Sequence, residues 1–196
     1  MRYNLSQPEY FGWYPAHAIS AAFAKAVWDA IIESEALIEF SKDEVYRVKC
    51  PSNTDPLVAA GLFQITKPDF RVKGNNAVIE FEFDAIYSST SAVDGAPMFK
   101  WILPSGITRM GVKFQNITLR LAEESIDLID ETFDRWNGLQ LLQTVGTDNE
   151  FHNVHFLDFP NVGDELGARI NSLSVSRNIY QNCTFRYGGS NHDNCL

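Results

Sequence analysis

The sequence predicts an all-β protein of the parallel β-helix kind, a solenoid with three strands per coil. Three observations carry this reading. The first is a six-residue phrase that occurs three times: Phe114-Gln115-Asn116-Ile117-Thr118-Leu119, Phe151-His152-Asn153-Val154-His155-Phe156 and Tyr180-Gln181-Asn182-Cys183-Thr184-Phe185. The copies are spaced by 37 and 29 residues, and a weaker copy, Gly74-Asn75-Asn76-Ala77-Val78-Ile79, lies 40 residues before the first. Repetition on this scale marks units that bury their apolar faces only by stacking on one another. The second is the phase within the phrase. Positions +1 and +3 after Asn are apolar, and so is position −2 before it. A straight strand keeps one parity on one face, so the inward parity changes at Asn and the chain bends there. Asn tolerates the left-handed conformation that a tight corner needs. The third is that length variation is confined to one connection per repeat, at 84–97, 122–137 and 159–168, where an insertion leaves the stacking undisturbed.

The elements follow in order. Residues 1–17 form an aromatic-rich arm with Tyr3, Tyr10, Phe11, Trp13 and Tyr14, and residues 18–196 form one β-helix domain. The spacing of Ile19, Ala22, Phe23, Ala26, Val27, Ala30 and Ile31 predicts an amphipathic helix over 18–34, with Ser20 available as its N-cap. Ala36-Leu37-Ile38-Glu39-Phe40 and Glu44-Val45-Tyr46-Arg47-Val48 read as strands around a polar turn. The first coil takes strands near 57–65, 70–74 and 77–83. The second takes 98–103, 110–115 and 117–121. The third takes 138–144, 149–152 and 154–158, and the fourth 169–175, 178–181 and 183–187. After the fourth coil the sequence shows no amphipathic cap. The expectation is therefore a homotrimer or an additional chain covering that end, or a chain that is the N-terminal part of a longer β-helix.

Composition narrows the partners. The chain is 45% hydrophobic and 21% charged, which suits a globular core. A net charge of −9 argues against nucleic acid, whose phosphates call for Lys and Arg. No apolar run reaches the ~18 residues of a membrane span, and no signal-peptide pattern opens the chain. Three cysteines, Cys50, Cys183 and Cys195, without short spacings do not make a disulfide framework. His152 and His155 flank an Asn corner, so they do not share a metal as they would on a helix turn. No metal or cofactor is expected.

The stretch Ser20-Ala21-Ala22-Phe23 through Glu44-Val45-Tyr46-Arg47-Val48, the turn at Phe70-Arg71-Val72-Lys73-Gly74-Asn75-Asn76, and the corners Asn116, Asn153 and Asn182 resemble the pectate-lyase-like right-handed parallel β-helix superfamily over about residues 18–190. The resemblance implies that the 18–34 helix is an N-terminal capping α-helix and that the corners form an asparagine ladder. Within the superfamily the bacteriophage tailspike type fits best. It implies a virion-tail protein that binds, and as a glycoside hydrolase cleaves, bacterial surface polysaccharide. The alternatives are a non-catalytic structural or assembly β-helix and a polysaccharide lyase fragment. Arg169 and Arg186 are available as lyase bases, but no Ca²⁺-type acid cluster accompanies them.

The resemblance implies a glycan groove along the strand after each long connection. That places Lys100, Gln140 and Asn171 outward, with Trp101, Trp136 and Arg169 as further substrate contacts. For both tryptophans core or inter-coil packing is the favoured reading over a sugar contact. Glycoside hydrolysis needs two carboxylates, one to protonate the leaving oxygen and one ionised. The pair expected here is Asp134 with Asp164 or Glu165. The acidic segment 123–136 also reads as a short helix with a solvated face, because Ile126, Ile129, Phe133 and Trp136 fall at helical spacing.

Overall fold

A computed structural model describes residues 5–15, 17–87, 96–129, 139–159 and 178–186. In chain order the elements are a 3-10 turn (Pro8–Phe11), β1 (Ile19–Ser20), α1 (Ala21–Ser34), β2 (Leu37–Glu39), β3 (Val45–Ser52), α2 (Pro56–Ala59), β4 (Phe63–Ile65), β5 (Arg71–Ala85), β6 (Ala96–Trp101), β7 (Lys113–Leu121), α3 (Glu123–Ile126), β8 (Leu139–Gln143), β9 (Asn149–Leu157), β10 (Asn178–Gln181) and β11 (Thr184–Arg186). The described residues are mostly β. One eight-stranded sheet runs β1-β3-β5-β7-β9-β10, with β2 joined to β5 and β11 to β9; a three-stranded sheet runs β4-β6-β8. Every pairing is parallel. From β4 to β9 the chain alternates between the two sheets.

The repeated phrases stack in register. Phe114 faces Phe151 and then Tyr180; Leu119 faces Phe156 and then Phe185. Their rings form the core. Phe151 and Tyr180 stack at 4.8 Å and Phe156 and Phe185 at 4.9 Å, close to the spacing of neighbouring strands. Asn116, Asn153 and Asn182 have φ of 52°, 53° and 55°, so the bend expected from the change of parity is present. The Asn153 side-chain amide donates to Asn116 Oδ1 at 3.0 Å.

The weak fourth copy aligns differently from its sequence. Ala77 and Ile79 meet Ile117 and Leu119, but Val72, not Gly74, meets Phe114. Residues 74–76 together oppose Asn116, and both Asn75 and Asn76 are left-handed. Gly74 is required there, since a Cβ would stand 2.2 Å from the Asn116 carbonyl oxygen.

A second corner precedes β5, β7 and β9, at Asp69, Gly111 and Asp148, all with positive φ. Arg109 spans it, donating from Nη1 to Asp69 at 2.5 Å and from Nε to Asp148 at 3.1 Å.

Other expectations shift. The helix starts at Ala21, with the Ser20 hydroxyl accepting from Phe23 N–H. The strand expected from 57 begins instead with α2, which Asp55 caps and Pro56 opens; these are two helix-start signals. The N-terminal segment does not stand off as an arm where it is described. Trp13 is fully buried, edge-on to Phe40 and Tyr46 and stacked near Phe63. Burial, and then a hydrogen bond to Glu9, push the Tyr46 hydroxyl far above its ordinary value. At the other end the inward residues Tyr180, Cys183 and Phe185 are only partly buried. The expected strand 169–175 lies outside the described residues.

Candidate functional site

The outward positions of the large sheet carry a charged row. Register places Arg47, Glu80, Arg120, Leu157 and Arg186 side by side on β3, β5, β7, β9 and β11. Strand alternation sends their neighbours, such as Leu119 and Phe156, into the core and leaves this row outside. Glu80 is 8% exposed. Its Oε1 accepts from Arg47 Nε at 2.8 Å and its Oε2 from Arg120 Nε at 2.7 Å. Beyond Leu157, the chain turns through Asp158 at φ 67°. The Asp158 carboxylate takes Arg186 Nε at 3.1 Å and Nη2 at 2.8 Å. That hydrogen-bonded carboxylate raises the Arg186 guanidinium above its ordinary value.

Helix α3 forms one wall. The Ser125 hydroxyl, buried, accepts from Phe83 N–H at 2.7 Å where β7 has ended beside β5. This tether sets Glu123, Glu124 and Ile126 against the row. The result is a cleft of 410 Å³ lined by Arg47, Glu80, Arg120, Glu123, Asp158 and Arg186 among others. It opens at the start of two of the long connections, before them in the chain rather than after.

The sequence-derived site residues fall differently. Trp101 is 2% exposed and stacks near Phe114 in the core, so it offers no face to a sugar. Gln140 is 1% exposed and pairs with Pro97, whereas Lys100 pairs with Gln64 and Gln143. Three residues separate Gln140 from the Lys100 row. An odd offset on a strand reverses the side, so Gln140 and Lys100 point to opposite faces. Lys100 is half-buried. Asp134, Trp136, Asp164, Glu165, Arg169 and Asn171 lie outside the described residues. Among the described residues no three His, Cys, Asp or Glu side chains converge as a metal site, and no helix is long and apolar enough to cross a membrane.

The row escaped sequence reasoning because its members are single residues on strands 29 to 40 positions apart, joined only by register. The usable signal was the phrase itself: Arg120 and Leu157 each follow the last residue of a copy, as does Arg186.

Chemically, the row differs from a paired-acid site. Both oxygens of Glu80 and both of Asp158 are engaged by guanidinium groups, which suits binding and rigidity more than proton transfer. No family model, curated protein or solved structure matches the chain.

Proposed function

We propose that this chain is a right-handed parallel β-helix of the tailspike-like kind whose charged cleft binds bacterial surface polysaccharide. The solenoid reading rests on the alternation of the chain between two parallel sheets and on the in-register Asn corners. The binding reading rests on one observation: a 410 Å³ polar cleft of planar guanidinium and carboxylate groups, held rigid by their own pairing, at the foot of the long connections. Sugars are recognised by planar hydrogen-bonding side chains that are already positioned before the ligand arrives. The full occupation of Glu80 and Asp158 favours binding without cleavage by these groups; hydrolysis, in this reading, falls to Asp134 with Asp164 or Glu165. A virion-tail location and a homotrimer go with the same proposal.

The test is a panel of bacterial surface polysaccharides, followed by calorimetry and by an assay for new reducing ends. Binding that Arg47→Ala weakens supports the reading. A folded protein that binds none of them moves the assignment to a structural β-helix. Cleavage that survives alanine at Asp134, Asp164 and Glu165 removes those three as the catalytic groups.

A further inference from the structure

The charged row is a pattern with one member missing. Arg47 and Arg120 lie two strands apart, about 9.5 Å along the sheet, and Glu80 on the strand between them accepts from both. Arg120 and Arg186 repeat that arrangement one step on, again two strands apart. The residue between them is Leu157. The first pair therefore demonstrates that two arginines at this separation converge on an acidic group over the middle strand. The second pair has an apolar, half-buried side chain in that place.

The contacts of the two arginines with the protein's own acids involve only part of each guanidinium group. Arg120 spends Nε and Nη2 on Glu80. Arg186 spends Nε and Nη2 on Asp158. Among the described residues neither Nη1 amino group has a hydrogen-bond partner. We propose that the position over Leu157, between Arg120 and Arg186, is a slot for one acidic group of the ligand: a carboxylate, sulfate or phosphate ester that completes the alternation of charge. The inference rests on the glycan-binding reading of this cleft and names the charge its ligand carries.

The walls also limit how much charge is accepted. Glu123 and Glu124 are exposed at the lip of the cleft and stand beside Glu80 and Asp158, which are already paired with arginines; together they repel any anionic group that Arg120 and Arg186 do not hold directly. The ligand that fits has an isolated acidic group flanked by neutral sugars, not a polymer charged at every unit.

Four probes separate these possibilities in low-salt calorimetry. Hyaluronan oligosaccharides carry a carboxylate on alternate sugars, keratan sulfate carries sulfate esters, dextran is uncharged, and polygalacturonate is charged at every unit. Hyaluronan or keratan sulfate is expected to bind about tenfold more tightly than dextran and polygalacturonate, the scale of one charge-assisted contact. Which of the two binds identifies the acid. Leu157→Glu supplies the missing carboxylate from the protein and is expected to reduce the preferred probe to the level of dextran; Leu157→Gln is expected to keep the preference. Arg186→Gln removes one side of the slot and is expected to act as Leu157→Glu does, so the outcome does not hang on one variant folding.

Dextran binding as tightly as the acidic probes, or an unchanged preference in folded Leu157→Glu and Arg186→Gln, overturns the slot and leaves glycan binding standing. A chain that binds no polysaccharide, yet is stabilised against heating by inorganic sulfate in wild type and not in Leu157→Glu, keeps the slot and overturns the glycan reading. No response to any probe or to sulfate overturns both.

Discussion

The Asn corner separates backbone strain from side-chain hydrogen bonding in one residue. Asn153 sits at φ 53° and donates to Asn116 across the stack at 3.0 Å, at an exposed site. Asn153→Gly removes the bond and leaves a residue that adopts positive φ freely. An exposed hydrogen bond contributes roughly 0.5–1 kcal/mol, and the added freedom of the unfolded chain costs about 0.5 kcal/mol more. The expected loss is about 1–1.5 kcal/mol. Asn153→Val removes the same bond and forces a β-branched residue into the left-handed region, adding roughly 1–3 kcal/mol of strain. Its expected loss is about 1.5–4 kcal/mol. Urea unfolding of the two variants beside wild type measures both, with unchanged slopes indicating unchanged exposed area on unfolding. If Gly destabilises as much as Val, the corner is held by the amide ladder and the argument from φ is wrong.

Three further outcomes follow from named contacts. Gly74→Ala places a Cβ 2.2 Å from a carbonyl oxygen of the next strand and 2.4 Å from Ile117 Cβ; a loss above ~3 kcal/mol is expected in the same urea assay, and a near-neutral result would show that the turn opens without cost. Ser125→Ala strands the buried Phe83 N–H, for which the expected loss is roughly 1–3 kcal/mol; faster amide exchange at Phe83 in the variant checks the mechanism. The Glu150 carboxyl is held below its ordinary range, chiefly by the Lys113 hydrogen bond and then by that of His152. A lowered carboxyl stabilises the fold above its unfolded value near ~4.3 and loses that contribution as pH falls through the lowered value. Glu150→Gln is therefore expected to reduce the urea midpoint at neutral pH, with the gap closing in acid. A gap that stays constant with pH would assign the effect to packing.

Local chemistry was legible wherever it repeats. Asn116, Asn153 and Asn182 announced their corners because a change of inward parity leaves a mark in the sequence that propensity alone does not. The core positions Phe114, Phe151 and Tyr180 followed from the same phrase. Helix α1 was legible from its helical spacing and Ser20, but its buried face was not: Ala21, Ala24, Val27, Trp28, Ile31 and Ile32 face the core, whereas Ala22, Phe23 and Ala26 of the expected stripe are exposed. What failed was register across variable connections. Gln140 was set beside Lys100, and the pairing of Lys100 with Gln143 shows that strand numbering cannot be carried over a long connection without knowing where the chain re-enters the sheet. The two extra residues at Gly74-Asn75-Asn76 defeated alignment in the same way. The charged cleft was hidden for a related reason: Arg47, Glu80 and Arg120 are ordinary surface residues until the sheet sets them side by side. Tertiary burial also overrode composition at Trp13, which the aromatic, polar segment around it disguised as part of an arm.

The aromatic residues run through the core as one connected series of ring contacts, and this has a consequence for how the chain acquires its structure. Trp13, Trp28, Phe40, Tyr46, Phe63, Phe70 and Phe99 are joined ring to ring beneath α1; Phe99 meets Phe114 and Phe114 meets Phe151, and Phe151, Phe156, Tyr180 and Phe185 close the far side with stacked and edge-on contacts. The seven rings of the first group lie between residues 13 and 99, which leave the ribosome before the strands from β7 onward. Once Phe99 has emerged this group can close, and the edge of the parallel sheet is then a template on which each later strand is laid down. Assembly is expected to run from the N-terminal end, with β10 and β11, whose inward residues are only partly buried, the first of the described strands to open when the molecule is warmed.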